Sequence, residues 1–286
     1  MQVANGMEIM FWGTRGSMAA PYADRKRYGG NTSCVSAKWH GGLVVFDGGT
    51  GICELGNRLL NPIPGEELYF GNELHIFITH LHLDHIMGLP FFPLLFQKDW
   101  KIHFYGESRT GSGFRNELLK ISQASYWPIS FEHAAASIIW HELYPGDCIP
   151  LPEGAKMYVT EADHPNGSSL FRLEADGASV VYGLDCSLND RIRRSYEQFV
   201  SGCDLLIFDG MYTDQQYSKV KDFGHSTWQQ GVAIKQTCHV GMLCISHHDW
   251  ARTDSQLDEM QTEMEQIEPN AVFAREGMKI CLGMKG

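Results

Sequence analysis

Residues 79–85 read Thr79-His80-Leu81-His82-Leu83-Asp84-His85, directly after the apolar run Leu74–Ile78. Three imidazoles and a carboxylate crowd one short segment. His80 and His82 sit two apart, while Asp84 and His85 open the helix expected next. A tight turn here can aim the first pair at one cation and the second pair at another. A divalent ion takes four or more ligands, and imidazole with carboxylate suits zinc, manganese or iron. The segment therefore calls for further ligands elsewhere in the chain.

Candidates follow other apolar runs. TEADHPNGSS (160–169) places His164 after one, VVYGLDCS (180–187) places Asp185 after another, and LCISHHDW (243–250) supplies His247 and His248. Asp47 and Asp209 end two more such runs. In layered α/β proteins, ligand sites gather at strand ends and the loops beyond them, so these residues should converge on one rim. A carboxylate such as Asp185 can bridge two cations, which lie about 3.5–4 Å apart in two-metal hydrolytic sites.

The periodicity around these points alternates between strand and helix. Strands are expected over 8–12, 33–38, 43–47, 74–79, 102–105, 157–162, 168–173, 179–185, 205–209, 242–246 and 271–274. Helices are expected over 52–60, 85–96, 113–122, 190–200, 226–237 and 255–266. The second half repeats the order of the first. That predicts an α/β chain of four layers, αββα, with two sheets face to face and helices outside, as one domain over residues 1–286.

Composition narrows the class. With 43% hydrophobic and 20% charged residues, the 286-residue chain matches soluble globular proteins and can bury a large core. Eight dispersed cysteines form no Cys-x-x-Cys pair and read as reduced thiols, mostly buried. The opening MQVANGMEIMFWG shows no leader pattern and no stretch is apolar enough for a membrane span, so a cytoplasmic location is expected. A net charge of −11, with no Lys/Arg-rich arm, weighs against a long nucleic acid as partner. It leaves room for a small anion drawn to a locally positive site.

Taken in order, HLHLDH, ADH, GLDCS and SHHDW resemble the motif set of the metallo-β-lactamase superfamily, and the resemblance runs from Glu8 to about Trp250. It implies that fold, two divalent metal ions, and ligands matched position by position. His80, His82 and His164 would hold one ion; Asp84, His85 and His247 the other; Asp185 would bridge. His248 is an adjacent alternative to His247. Zinc leads from the imidazole-rich shell, with manganese or iron also suited.

Further stretches resemble one branch, that of the tRNA 3′-processing endonuclease and small cyclic-phosphate phosphodiesterases. These are GTRGSMAAP near the start, RYGGNTSC and VVFDGGTG after it, and GHSTW around His225. The flavodiiron branch has a carboxylate where this chain has His82, which disfavours redox chemistry. The long arm with which the tRNA enzymes grip their substrate has no counterpart here.

The expected activity is hydrolysis of a small phosphodiester, a cyclic nucleotide included, by a metal-activated water. Asp84 would orient that water or take its proton, and His225 would protonate the leaving oxygen. Asp209 would orient His225 or a metal-ligating histidine. Arg15, Asn31, Ser33 and Ser226 are candidate substrate contacts, though each could equally serve a structural hydrogen bond. Alternatives are a metal-dependent thioesterase or lactone hydrolase, and a non-catalytic nucleotide-binding sensor. Residues 112–137, with Tyr126 and Trp127, could cover a small substrate. Trp12, Met18, Met87 and the run Leu89–Phe96 could pair two copies as a homodimer or lie in the core.

Overall fold

Gly42–Phe46, Ala178–Gly183 and Leu205–Asp209 carry no polar–apolar alternation, the pattern of strands buried on both faces. The computed structural model describes residues 6–63 and 71–283 and places all three runs inside seven-stranded sheets. Residues 1–5, part of the opening read for a leader, lie outside the described residues.

The first half supplies β1 (Met7–Gly13), β2 (Arg15–Gly16), β3 (Cys34–Trp39), β4 (Gly42–Phe46) and α1 (Ile52–Leu60). It continues with β5 (Glu73–Phe77), α2 (Leu83–Ile86), β6 (Lys101–Gly106), α3 (Phe114–Leu118) and β7 (Ser137–Glu142). The second half begins with β8 (Cys148–Pro150), β9 (Lys156–Ala162), β10 (Ser168–Ala175), β11 (Ala178–Gly183), α4 (Arg193–Val200) and β12 (Leu205–Asp209). After them come α5 (Asp214–Val220), α6 (Trp228–Cys238), β13 (Met242–Ser246), β14 (His248–Asp249), α7 (Asp254–Ile267), β15 (Ala271–Phe273) and β16 (Lys279–Leu282).

One sheet has the order β16-β1-β3-β4-β5-β6-β7, the other β15-β13-β12-β11-β10-β9-β8. β4 to β7 run parallel, as do β11, β12, β13 and β15. Parallel neighbours need crossovers, and α1, α4, α6 and α7 supply four of them. Between the sheets, Phe46, Phe77 and Tyr105 meet Phe171, Tyr182 and Ile207 in one core. Phe46 stacks on Tyr182 with ring centres 4.9 Å apart. Outside, Ile52 and Leu55 of α1 cover Ile76 and Ile102, while Tyr196, Val232 and Leu257 cover Val181, Leu206 and Leu243. The four-layer αββα expectation holds.

The helix expected over 85–96 does not form as one piece. α2 is a single turn, followed by 3-10 turns at Leu89–Phe91 and Pro93–Phe96. Pro90 and Pro93 each lack an amide donor and cannot continue an α-helix. The helix expected over 226–237 begins at Trp228, because Thr227 caps it in a box with Gln230. β2, β7, β8, β14, β16 and α5 fall outside the expected elements.

Leu89, Phe92, Leu94 and Leu95 enter the core, whereas Met18, Met87 and Phe91 stay exposed and Trp12 is half-buried. Trp127 packs edge-on against Phe91, at 4.4 Å between centres, while Tyr126 points into solvent. The eight cysteines are unbridged and five are buried. Among the described residues, no helix is long and apolar enough to cross a membrane.

Candidate metal centre

β4, β11 and β13 deliver Asp47, Asp185 and His247 to one rim, and all three take left-handed backbone angles, φ 60°, 51° and 60°. Such angles are uncommon for residues with side chains and cost about 1–3 kcal/mol each. They turn the side chain back over the strand end. The loop after β1 closes on the same point, because β2 pairs with β14. Gly16 lies against the His247 imidazole so tightly that any Cβ there would overlap the ring. Next to it, the Ser17 amide donates to Asp84 Oδ2 at 2.7 Å.

Buried Asp47 fixes the imidazoles. Its Oδ1 accepts from the Thr79 amide at 2.8 Å and hydroxyl at 3.0 Å. Its Oδ2 accepts from Tyr182 Oη at 3.0 Å and His85 Nδ1 at 2.7 Å. His85 thus carries its proton on Nδ1 and turns a bare Nε2 inward. Having given its proton to Asp47, the Thr79 hydroxyl accepts from His80 Nδ1 at 3.0 Å. His164 Nδ1 donates to the Gly224 carbonyl at 2.8 Å. Three imidazoles therefore present Nε2 lone pairs to a common space.

Carboxylate oxygens share that space. His85 Nε2 is 3.2 Å from both Asp84 Oδ2 and Asp185 Oδ1, and 3.3 Å from His247 Nε2. His247 Nε2 is 3.2 Å from Asp84 Oδ2 and 3.1 Å from Asp185 Oδ1. Opposite, His164 Nε2 is 3.1 Å from His82 Nδ1 and 3.5 Å from Asp185 Oδ2, with His80 Nε2 3.7 Å from the same oxygen. His80 Nε2 and Asp185 Oδ1 are buried with no hydrogen-bond partner among the described residues. Lone pairs and anionic oxygens at these separations repel unless positive charge sits between them.

The pKa directions agree. Burial opposes charge on His85, yet Asp185, Asp84 and Asp47 together pull its pKa well above normal. Burial likewise opposes ionisation of Asp84 and Asp185, but the surrounding imidazoles hold both below the usual carboxylate range. The cavity is built for cationic charge, whether a proton or a metal supplies it. The donor set fits divalent cations.

Ligand atoms of His80, His82 and His164 lie within 4.8 Å of one another, as do those of Asp84, His85 and His247, and Asp185 reaches both sets. His248 points away, with Nε2 on the Ala274 carbonyl at 2.8 Å. His225 leans over the cluster, its ring 5.0 Å from that of His247 and 5.1 Å from that of His164. Its Nδ1 donates to Asp209 Oδ2 at 2.8 Å. Burial pulls His225 down, but the charge and hydrogen bond of Asp209, joined by the charges of Asp185 and Asp84, outweigh it and push the pKa up to about 9.

The four candidate substrate contacts are placed elsewhere. Arg15 is fully buried and donates to the carbonyls of Gly29, Asp249 and Arg252. Asn31 pairs with Glu276, Ser33 contacts the Arg15 carbonyl, and Ser226 donates to the Cys186 carbonyl at 2.6 Å. Arg15, Ser33 and Ser226 are buried and hold the loops together, while half-buried Asn31 is engaged by Glu276. An open pocket of about 320 Å³ lies beside His80 and His82 instead, lined by Leu81, Ile86, Arg109, Lys120 and Ile121 among others. Sequence reasoning placed Asp47 at the rim but missed its role as a hub. It missed Tyr182 and Ser17 entirely. The one available signal was an acid ending an apolar strand.

Known proteins resemble this chain. A family profile described as a beta-lactamase superfamily domain matches residues 43–248. Ribonuclease Z of Lactobacillus delbrueckii subsp. bulgaricus is 25% identical over 264 residues, covering 74% of this chain and 81% of that one. A diphosphatase from the PhnP family superposes with a TM-score of 0.70 at 19% identity, over 97% of each chain. Human tRNase Z, short form, superposes at 0.67 with 22% identity, over 98% of this chain and 100% of the other.

Proposed function

Since the chain belongs to the metallo-β-lactamase superfamily, in its tRNA 3′-processing and phosphodiesterase branch, we propose that it is a dinuclear phosphodiesterase of small substrates such as cyclic nucleotides. It is a metal-dependent hydrolase. His80, His82 and His164 would hold one ion and Asp84, His85 and His247 the other, with Asp185 between them. Zinc suits this shell, and manganese or iron are alternatives.

Bound there, divalent cations supply Lewis acidity, easing ionisation of water near neutral pH and offsetting charge on phosphoryl oxygens. The chain's own groups do the rest. Asp84, held by the Ser17 amide, presents Oδ2 at the cluster, where it orients the attacking water and takes up its proton. His225, oriented by Asp209 through Nδ1, would present Nε2–H to the departing oxygen. Leu81, Ile86 and Ile121 give the rest of the substrate an apolar wall, with Lys120 beside it for an anionic group.

The His225–Asp209 pair carries this reading. An alkoxide leaving group needs a proton far more than a thiolate does, so a thioesterase gains little from such a pair. The net charge of −11 and the missing basic arm favour a small substrate. The curated relatives are ribonucleases by name, so RNA belongs in the test. Rates should be compared on bis-p-nitrophenyl phosphate, 3′,5′-cyclic nucleotides, a precursor tRNA with a 3′ extension, and an acyl thioester. Turnover of the small diesters is expected. Preferential cleavage of the thioester, or of the tRNA with the small diesters untouched, would overturn the reading.

A further inference from the structure

A second set of imidazoles sits away from the rim, near the starting ends of β5 and β6. His75 and His103 are register partners in that parallel pair, their rings stacked 4.6 Å apart. Both are more than nine-tenths buried, at 6% and 8% exposure. Glu73, two residues before His75, shares its face of the strand. Its Oε1 lies 2.7 Å from His103 Nε2. Ligand atoms of Glu73, His75 and His103 all fall within 4.8 Å of one another.

Each imidazole is held through its other nitrogen. His75 Nδ1 meets the Tyr105 hydroxyl at 3.0 Å, and His103 Nδ1 meets His141 Nε2 at 2.8 Å. Metal-ligating histidines are oriented in this way, with one nitrogen on a supporting group and the other left for the ion. His75 Nε2 is buried with no hydrogen-bond partner among the described residues. An orphaned polar atom of this kind is costly to bury unless something binds it.

We propose that Glu73, His75 and His103 form a further divalent-cation site, separate from the rim and taking no part in hydrolysis. Two imidazoles and one carboxylate suit zinc and leave a fourth position for water. The ion takes the place of the proton on His103 Nε2, which goes to solvent. The proton shared with His141 moves onto His103 Nδ1, and His141 takes one from solvent on its own Nδ1, so none is released overall. Lys101, whose Nζ is 3.0 Å from Glu73 Oε1, has a half-exposed side chain and can swing into water as the ion enters.

Chelator-stripped wild type, Glu73→Gln and His103→Asn would be titrated with zinc chloride alone, and bound zinc counted after gel filtration. Each variant should bind one equivalent fewer than wild type while hydrolysing bis-p-nitrophenyl phosphate at the wild-type rate. Glu73 is partly exposed, so its variant folds even if the His103 variant does not. Equal counts in wild type and Glu73→Gln would overturn the proposal. So would the absence of anomalous zinc density between the three side chains in crystals grown with zinc.

Discussion

Asp209 Oδ2 accepts the Nδ1 proton of His225 at 2.8 Å, inside a pocket that leaves both side chains almost fully buried. This arrangement sets the charge and the direction of the imidazole together. His225→Ala should lower turnover of alkyl phosphodiesters by about 10²–10⁴-fold. With p-nitrophenolate, a leaving group that needs no proton, the loss should be far smaller. A leaving-group series with both proteins checks this, and a uniform loss across the series would remove His225 as the acid.

The same pair sets a pH dependence. His225 is raised to about 9. Its favourable interaction with Asp209 is therefore fully present below the ordinary histidine pKa, about 6.5, and is lost as pH rises through about 9. In chelated protein, the stability gap between wild type and Asp209→Asn should shrink as pH rises through that window. Urea unfolding at pH 7, 8, 9 and 10 measures it. A gap that widens with pH would reverse the assigned sign.

Asp47 accepts from four donor groups belonging to Thr79, Tyr182 and His85. Asp47→Ala strands these donors and frees the His85 ring. Metal affinity, read by competition with a chromogenic chelator, should fall about 10–100-fold. The melting temperature should fall too, because each stranded buried group costs about 1–3 kcal/mol. Tyr182→Phe removes one of the four bonds and should lie between wild type and Asp47→Ala. Unchanged affinity in Asp47→Ala would show that the hub does not support the centre.

Gly16 tests how closely the rim is packed. In Gly16→Ala the new methyl group overlaps the His247 imidazole, which must shift. A displacement of about 1 Å can cost on the order of 10²-fold in rate. Turnover should drop by that order while the far-ultraviolet circular dichroism stays native. Full activity in this variant would show that His247 has room to spare.

The layered fold and the rim were legible because both depend on local pattern: apolar runs of strand length, each ended by an acid or an imidazole. The hub was not. Tyr182 reaches Asp47 across 135 residues of sequence, and only the packing of one sheet on the other brings them together. Arg15 read as an anion contact because a guanidinium in a glycine-rich loop is chemically suited to one. Its Nε and Nη1 instead donate to carbonyls of Gly29, Asp249 and Arg252, a set that exists only after β2 meets β14. The helix expected over 85–96 failed for a local reason that could have been weighed: Pro90 and Pro93 lie inside it.

The decisive measurement is the rate of bis-p-nitrophenyl phosphate hydrolysis by protein stripped with a chelator, then resupplied with zinc or manganese. If the imidazoles and acids at the rim grip catalytic cations, turnover falls to background on stripping and returns with the ions in wild type but not in His82→Ala. Undiminished hydrolysis by stripped, folded protein would contradict it.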